Sequence, residues 1–317
     1  MNILVTGATG FIGPHVCAHL LEQGFDVRAS VRRKNERLDR RIEQRLNGDL
    51  DPNTDWMPTL RGIDAVVHLA SRVHVMRETC ADPLTEFRNI NVQGTRRLAQ
   101  RAADAGVKRF VYISSIKVNG KHTHGQPFRA DALPRPVGPY GQSKWEAEQA
   151  LRAIGEQSDM EWVIIRPPLV YGAGAKGNLL TLMRILRRGV PLPLAGIRNR
   201  RCLVGRQNLI SLITACLQHP AAANQTFLAG DPQALSTPEL LRRIAAALGR
   251  PARLFTLPTI ALQGTAALTG QGETWRRLAE SLEIDTEKTR EYLNWTPPHP
   301  MEHDLQPMAA AFLAAQV

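Results

Sequence analysis

The stretch at residues 2–13, N-I-L-V-T-G-A-T-G-F-I-G, constrains this chain more than any other. Branched apolar residues fill its first half, which suits a strand buried on both faces of a parallel sheet. Gly7, Gly10 and Gly13 follow at even spacing, and an amphipathic run over 14–23 predicts a helix directly after them. A strand that passes through glycines into a helix makes an anion site. Gly7 permits the tight bend, Gly10 lets backbone N–H groups approach a pyrophosphate, and Gly13 lets the helix pack closely on the strand. The helix N-terminus adds partial positive charge. With Thr9, Phe11 and Ile12 between the glycines, this is the expected cofactor-binding turn.

The pattern then repeats. Strands are predicted at 25–31, just before Gly48, at 63–70 and at 109–115, with a helix over 89–106 between the last two. Strands alternating with helices imply right-handed crossovers and a doubly wound parallel α/β sheet, with ligands outside the strand C-terminal ends. NAD enzymes usually place an acidic residue after the second strand to hold the adenosine ribose. Here the segment reads R-A-S-V-R-R-K. Ser30, Arg32 and Arg33 would instead surround a 2′-phosphate by charge-assisted bonds, so NADP(H) is expected in preference to NAD(H), which stays as the alternative. Asp49, followed by Leu50, is placed to accept the adenine amino group. The 63–70 strand ends in Leu69 and Ala70, small enough for backbone to pass beside a cofactor. His68 is expected to be a packed core histidine.

Ser114 and Ser115 stand at the end of the 109–115 strand, followed by a polar, Gly- and Pro-rich loop over 119–139, long enough to act as a lid. His122 and His124 lie in that loop without a third ligand in view, so no metal site is expected. The next helix carries Y-G-Q-S-K, which puts Tyr140 and Lys144 four residues apart on one face. A tyrosine that moves protons near neutral pH must be brought down by roughly three pH units, about 4 kcal/mol. A neighbouring ammonium supplies roughly one to three of them, and an oxidised nicotinamide adds to it. Ser115 would hydrogen-bond the same substrate oxygen.

Taken together, the glycine turn, H-L-A at 68–70, S-S at 114–115, Y-G-Q-S-K at 140–144 and R-P-P-L-V-Y-G at 166–172 resemble the extended short-chain dehydrogenase/reductase family over essentially the whole chain. The resemblance implies a catalytic set of Ser115, Tyr140 and Lys144 acting on a nucleotide sugar, with Lys144 also holding the nicotinamide ribose. It adds Asn91 and Pro167 to the cofactor contacts, and Ser71, Lys117, Asn119, Lys176, Asn178 and the phosphate-binding Arg201 to the substrate contacts. The segments S-S-I-K-V-N-G and R-P-P-L-V-Y-G-A-G-A-K-G-N are most similar to the bacterial polysaccharide branch acting on UDP-N-acetylhexosamines, which contains 4-epimerases and 4-keto-6-deoxy-sugar reductases. The Asp-Glu pair of the family's dehydratases is replaced by Ile116 and Lys117, which speaks against dehydration. Asn119 replaces a usual tyrosine, leaving room or a polar contact beside the sugar.

The leading expectation is therefore an NADPH-dependent 4-keto reductase of a UDP-linked N-acetylhexosamine. The alternative is a 4-epimerase using the same three groups, and a non-catalytic nucleotide sensor is disfavoured by the intact set. The expected division is a Rossmann domain at 1–168, with 205–230 returning to it, and a substrate lobe from 169–204 and 231–317. In that lobe Ser236 and Glu239 form a helix capping box, and the apolar run at 257–269 is expected to be core, with a membrane-touching face as the alternative.

With 317 residues the chain can bury a large core. Its net charge of +11 comes from 40 Lys and Arg against 29 acids, and only seven of the 40 are Lys. Such a balance suits an anionic partner, either the UDP-sugar diphosphate or, weakly, a membrane surface. No nucleic-acid motif is present. Cys17, Cys80, Cys202 and Cys216 show no paired spacing and are expected as reduced thiols. No signal peptide or membrane-spanning run is read, so a cytoplasmic protein is expected, dimeric through the helices at 89–106 and 140–153.

Overall fold

A computed structural model describes residues 1–73 and 82–315; Cys80 lies outside the described residues. The order along the chain is β1 (Asn2–Thr6), α1 (Gly13–Glu22), β2 (Asp26–Val31), β3 (Glu43–Leu46), α2 (Met57–Leu60), β4 (Ala65–His68), α3 (Pro83–Phe87), a π-helical segment (Arg88–Gly94), α4 (Thr95–Asp104), β5 (Arg109–Ile113), a 3-10 turn (Ile116–Val118), α5 (Gly138–Glu156) and β6 (Glu161–Arg166). It continues through β7 (Leu169–Tyr171), α6 (Asn178–Arg187), β8 (Leu203–Gly205), α7 (Arg206–Gln218) and β9 (Gln225–Leu228). The remaining helices are α8 (Thr237–Ala247), α9 (Thr259–Leu268), α10 (Gly272–Ala279), α11 (Glu287–Leu293) and α12 (Glu302–Ala314).

Seven parallel strands form one sheet in the order β3-β2-β1-β4-β5-β6-β9, and β7 pairs with β8 in a second, two-stranded sheet. The direction of winding reverses between β1 and β4. A cleft therefore opens there at the strand C-terminal ends. Alternation along each strand divides the core. Ile3, Val5, Val111, Ile113, Val163 and Ile165 face α1 and α7, while Leu4, Phe110, Tyr112, Trp162 and Ile164 face α4 and α5. A separate cluster from α6, α8 and α12 includes Leu179, Met183, Leu241, Ile244, Leu305, Met308 and Phe312. Leu293 and Trp295, in the segment expected to build the substrate lobe, pack instead into the sheet's core.

Local signals explain the element ends. Ser236 Oγ accepts from the Glu239 amide at 3.3 Å, opening α8. The helix expected over 89–106 is broken into a π segment and α4, and the wider turn turns Asn91 inward. The 119–139 loop is no free lid: Thr123 donates its amide to Ser281, Phe128 to Glu283 and Arg135 to Val118, so backbone pairing holds it down. The largest departure is the 257–269 run. It forms α9, which buries no residue, leaving Ile260 83% and Leu268 90% exposed, so the core expectation fails.

Candidate active site

The glycine turn closes as its residue types require. The Gly10 amide donates to the Gly7 carbonyl at 2.9 Å, and Gly7 has φ +70°. A Cβ on Gly7 would lie 2.7 Å from the Ala70 nitrogen, and one on Gly13 would lie 2.2 Å from the Gly7 carbonyl oxygen. Both are backbone atoms that cannot swing away, so glycine is obligatory at both positions. Leu69 and Ala70 are drawn onto the turn by donating their amides to Thr6 O and Thr6 Oγ1, both at 3.3 Å. No side chain caps the first turn of α1, and Thr9 and Gly10 are exposed. An uncapped, open helix N-terminus behind a glycine turn fits a dinucleotide pyrophosphate.

At the adenosine end Arg32 does not stand alone. Its Nη1 lies 3.3 Å from Asp49 Oδ1, with both side chains about three-quarters exposed. The residue expected for a 2′-phosphate and the one expected for adenine thus engage each other. Ser30 sits on β2 in register with Thr6, Arg33 is exposed beyond the strand, and Leu50 packs against Gly94.

The catalytic candidates converge at the ends of β5 and α5. Ser115 caps the 3-10 turn that follows β5, accepting from the Lys117 amide, and its hydroxyl is near enough to the Tyr140 hydroxyl to favour its ionised form. Lys144 is 2% exposed, with Nζ 4.4 Å from the centre of the Tyr112 ring. Burial pushes the Tyr140 hydroxyl up to about 12, against the pull of Ser115. Burial also brings Lys144 down to about 7, with Glu148 opposing it. The expected lowering of the tyrosine by its lysine is therefore not what the protein by itself provides, because the apolar surroundings penalise both charged forms more than they favour the pair. Lys117 Nζ lies 5.5 Å from the Tyr140 ring centre. Of the two positions where dehydratases carry acids, Ile116 is buried and Lys117 is a cation facing the tyrosine.

Behind these groups lies an ion pair that the sequence reading did not single out. Arg166 Nε and Nη2 donate to the two Glu148 carboxylate oxygens at 2.9 and 2.6 Å, with Glu148 wholly buried and Arg166 1% exposed. Ser114 Oγ donates to Glu148 at 2.5 Å. The signal was the position of Glu148, four residues beyond Lys144 and so on the same helix face.

Two expected ligand contacts turn inward instead. Asn119 is 2% exposed; its amide donates to the Arg129 carbonyl at 2.8 Å, and its Oδ1 accepts from Arg166 Nη1 at 3.0 Å. Buried as it is, it braces the Glu148–Arg166 pair through both ends of its amide. Asn91 accepts from the Arg72 amide and donates to Arg72 O and Ser143 Oγ, at 2.8, 3.0 and 3.0 Å. It ties the loop after β4 to α5, which fixes the cofactor cleft without needing to touch its occupant.

His68 is fully buried between Thr6 and Thr95, at 2.6 and 3.0 Å, and burial lowers it to about 3. It is a neutral core residue, as expected. Pro167 is buried, and its carbonyl accepts from the Ile116 amide. Ser71 is half-buried at the end of β4, and Lys176 and Asn178 are exposed at the start of α6. Arg201 Nη1 donates to the carbonyls of Arg277 and Glu280, both at 3.0 Å. It thereby holds α10 beside the site. Among the described residues no cluster of His, Cys, Asp and Glu could hold a metal ion, and Cys17, Cys202 and Cys216 are buried thiols.

Known proteins bear the same stamp. The profile of the NAD dependent epimerase/dehydratase family matches residues 3–230. A UDP-glucose 4-epimerase of Vibrio cholerae is 42% identical over 99% of this chain and 96% of its own length. An N-acetyl-alpha-D-glucosaminyl-diphospho-ditrans,octacis-undecaprenol 4-epimerase of Escherichia coli O157:H7 is 26% identical, over 81% of this chain and 75% of its own. Among solved structures, a UDP-glucuronic acid 4-epimerase from Bacillus cereus in complex with NAD superposes with a TM-score of 0.79 at 21% identity, covering 98% of this chain and 96% of that one. The glycine turn, the Ser-Tyr-Lys set and these matches lead to one conclusion: the chain is an NAD(P)-dependent enzyme of the NAD dependent epimerase/dehydratase family.

Proposed function

We propose that the protein is a UDP-sugar 4-epimerase, with Ser115, Tyr140 and Lys144 as its catalytic residues. The observation that carries this reading is the juxtaposition of Ser115 and Tyr140 beside buried Lys144, in a chain whose full-length relative is a UDP-glucose 4-epimerase. The alternative named from the sequence thus moves ahead of the reductase. NAD becomes the proposed cofactor in place of NADP(H), since Arg32 already has Asp49 as its partner and a superposing 4-epimerase holds NAD. A nucleotide-linked sugar is preferred to a lipid-linked one because the 42% identical relative spans the whole chain.

The groups of the chain divide the work as follows. The turn at Gly7, Gly10 and Gly13 would hold the pyrophosphate, and Lys144 the nicotinamide ribose. When bound, the cofactor supplies reversible hydride acceptance at C4 and, in its oxidised form, a positive charge. Tyr140 takes the proton from O4 and later returns it, Ser115 holds that oxygen, and Lys144 favours the tyrosinate. Because Tyr140 lies at about 12 in the protein by itself, the base is armed only when positive charge is brought up beside it. Lys176, Asn178 and Arg201 are the proposed contacts of the sugar diphosphate.

The proposal includes cytoplasmic location and a homodimer formed through α4 and α5, which sedimentation velocity would reveal. Enzyme incubated with UDP-glucose or UDP-N-acetylglucosamine and no reductant should yield the 4-epimer. Tyr140→Phe should abolish this while leaving NAD affinity within about twofold. Turnover that appears only with NADPH and a 4-keto sugar would overturn the epimerase reading in favour of the reductase.

A further inference from the structure

The residues between Arg253 and Glu273 include no charged side chain, yet beyond Leu254, which packs on the lobe core, none of them is buried. Phe255, Leu257, Ile260 and Leu268 are 44, 39, 83 and 90% exposed, and α9 contributes no buried residue. Only its inner side, with Leu262 and Ala266 half-buried, leans on the molecule. The neighbouring α10 is anchored: Trp275 and Leu278 pack on the lobe core, Arg277 and Glu280 receive Arg201 through their carbonyls, and Glu273 pairs with Lys121 at 3.2 Å. The hairpin is therefore held firmly on one side while presenting an apolar helix outward on the other. Exposed arginines surround α9, Arg250 and Arg253 before it and Arg276 and Arg277 on α10, of which Arg277 pairs with Glu273 at 3.1 Å.

We propose that the α9–α10 hairpin is the surface by which this enzyme docks on an anionic lipid bilayer. An apolar helix with a cationic rim fits the boundary between acyl chains and headgroups, where its exposed side leaves water and the arginines meet anionic phosphates. The length of α9, ten residues, suits lying in the interface and is too short to cross. Charge argues against a second copy of the chain as the occupant. A two-fold symmetric contact sets the same patch against itself and would bring this arginine rim against its own image, on a protein already at +11.

The test is co-sedimentation of the whole protein with phosphatidylglycerol-containing vesicles and with pure phosphatidylcholine vesicles, each at low and high salt. The protein should bind the anionic vesicles at least tenfold better, and high salt should weaken that binding. The Ile260→Asp, Leu268→Asp double variant alters only exposed positions, so it should keep its unfolding midpoint while losing the preference. Arg253→Ala should weaken binding roughly fivefold. Absence of binding to anionic vesicles, or equal binding by the double variant, would overturn the proposal. So would a dimer in sedimentation velocity that the double variant dissociates, since the helix would then be covered by a second copy. Each readout is independent of which sugar the site turns over.

Discussion

Replacing Glu148 by Gln tests whether the buried ion pair behind the proposed catalytic set organises it. The substitution keeps the shape of the side chain but removes its charge, and it turns an N–H group toward either the Arg166 guanidinium or Ser114, both of which donate to the carboxylate now. Neutralising one partner of a buried pair costs about 3–5 kcal/mol, because the other charge stays behind. Two unit charges about 4 Å apart interact by about 4 kcal/mol at an effective dielectric of 20, which agrees. Arg166 keeps Asn119 Oδ1 at 3.0 Å, so the lower end, about 3 kcal/mol, is expected. At about 2 °C per kcal/mol for a long chain, the midpoint of thermal unfolding should fall by about 6 °C. Equilibrium denaturation of Glu148→Gln, Arg166→Met and the double variant closes the cycle, and the double variant should recover about 2–3 kcal/mol of the summed losses. Since Glu148 supports the Lys144 charge against burial, the alkaline limb of the activity profile should also move to lower pH in Glu148→Gln. A single variant within about 1 kcal/mol of the parent, or strict additivity in the cycle, would refute the argument.

Two further outcomes follow from the same geometry. Gly13→Ala sets a Cβ 2.2 Å from the Gly7 carbonyl oxygen, so the turn must open; cofactor affinity should drop at least tenfold by fluorescence titration, with a stability loss of about 1–3 kcal/mol. Lys144 gives a pH signature. Its folded value of about 7 lies below the ordinary lysine value of 10.5, so the unfolded chain binds the extra proton between those limits and stability rises with pH across that window. From pH 7 to 9 the parent should gain about 2 kcal/mol relative to Lys144→Met in urea unfolding, and parallel pH curves would show that the lysine is not buried as a charge-averse group.

The sheet was legible because each of its signals is local. Short continuous apolar runs such as I-L-V and F-V-Y-I mark strands buried on both faces of a parallel sheet, and Gly7 and Gly13 are dictated by backbone atoms only a few residues away or just past the adjoining strand; the run W-V-I-I of β6 carries the same signal but was not singled out. The placement of Ser115, Tyr140 and Lys144 was legible for a similar reason, since one strand end and one helix turn fix all three. What escaped notice depends on partners distant in the chain. Nothing near Asn119 announces that Arg166 will engage its carbonyl oxygen, and nothing near Arg32 announces Asp49, so residues that looked aimed at ligands also meet partners within the protein. The electrostatics of the site escaped too: a Tyr-Lys spacing specifies proximity, whereas the balance between burial and attraction depends on everything packed around Tyr112 and Glu148.

The 257–269 run shows the limit most directly. Hydropathy measures how much a segment gains by leaving water, and says nothing of what it leaves water for. A run of Leu, Ile and Ala without charges reads as core because, in most chains, the covering surface belongs to the same molecule. Here α6, α8 and α12 already close the lobe core among themselves, so α9 arrives with no apolar face left to receive it. A helix in that position is stable only because α10 is tied down through Trp275, Leu278 and the carbonyls that Arg201 grips. Keeping Ile260 and Leu268 outward has a standing cost in water, about 1.5–3 kcal/mol for each large side chain left unburied. That cost is recovered when the surface meets an apolar partner, and the arginines around it select one that is negatively charged.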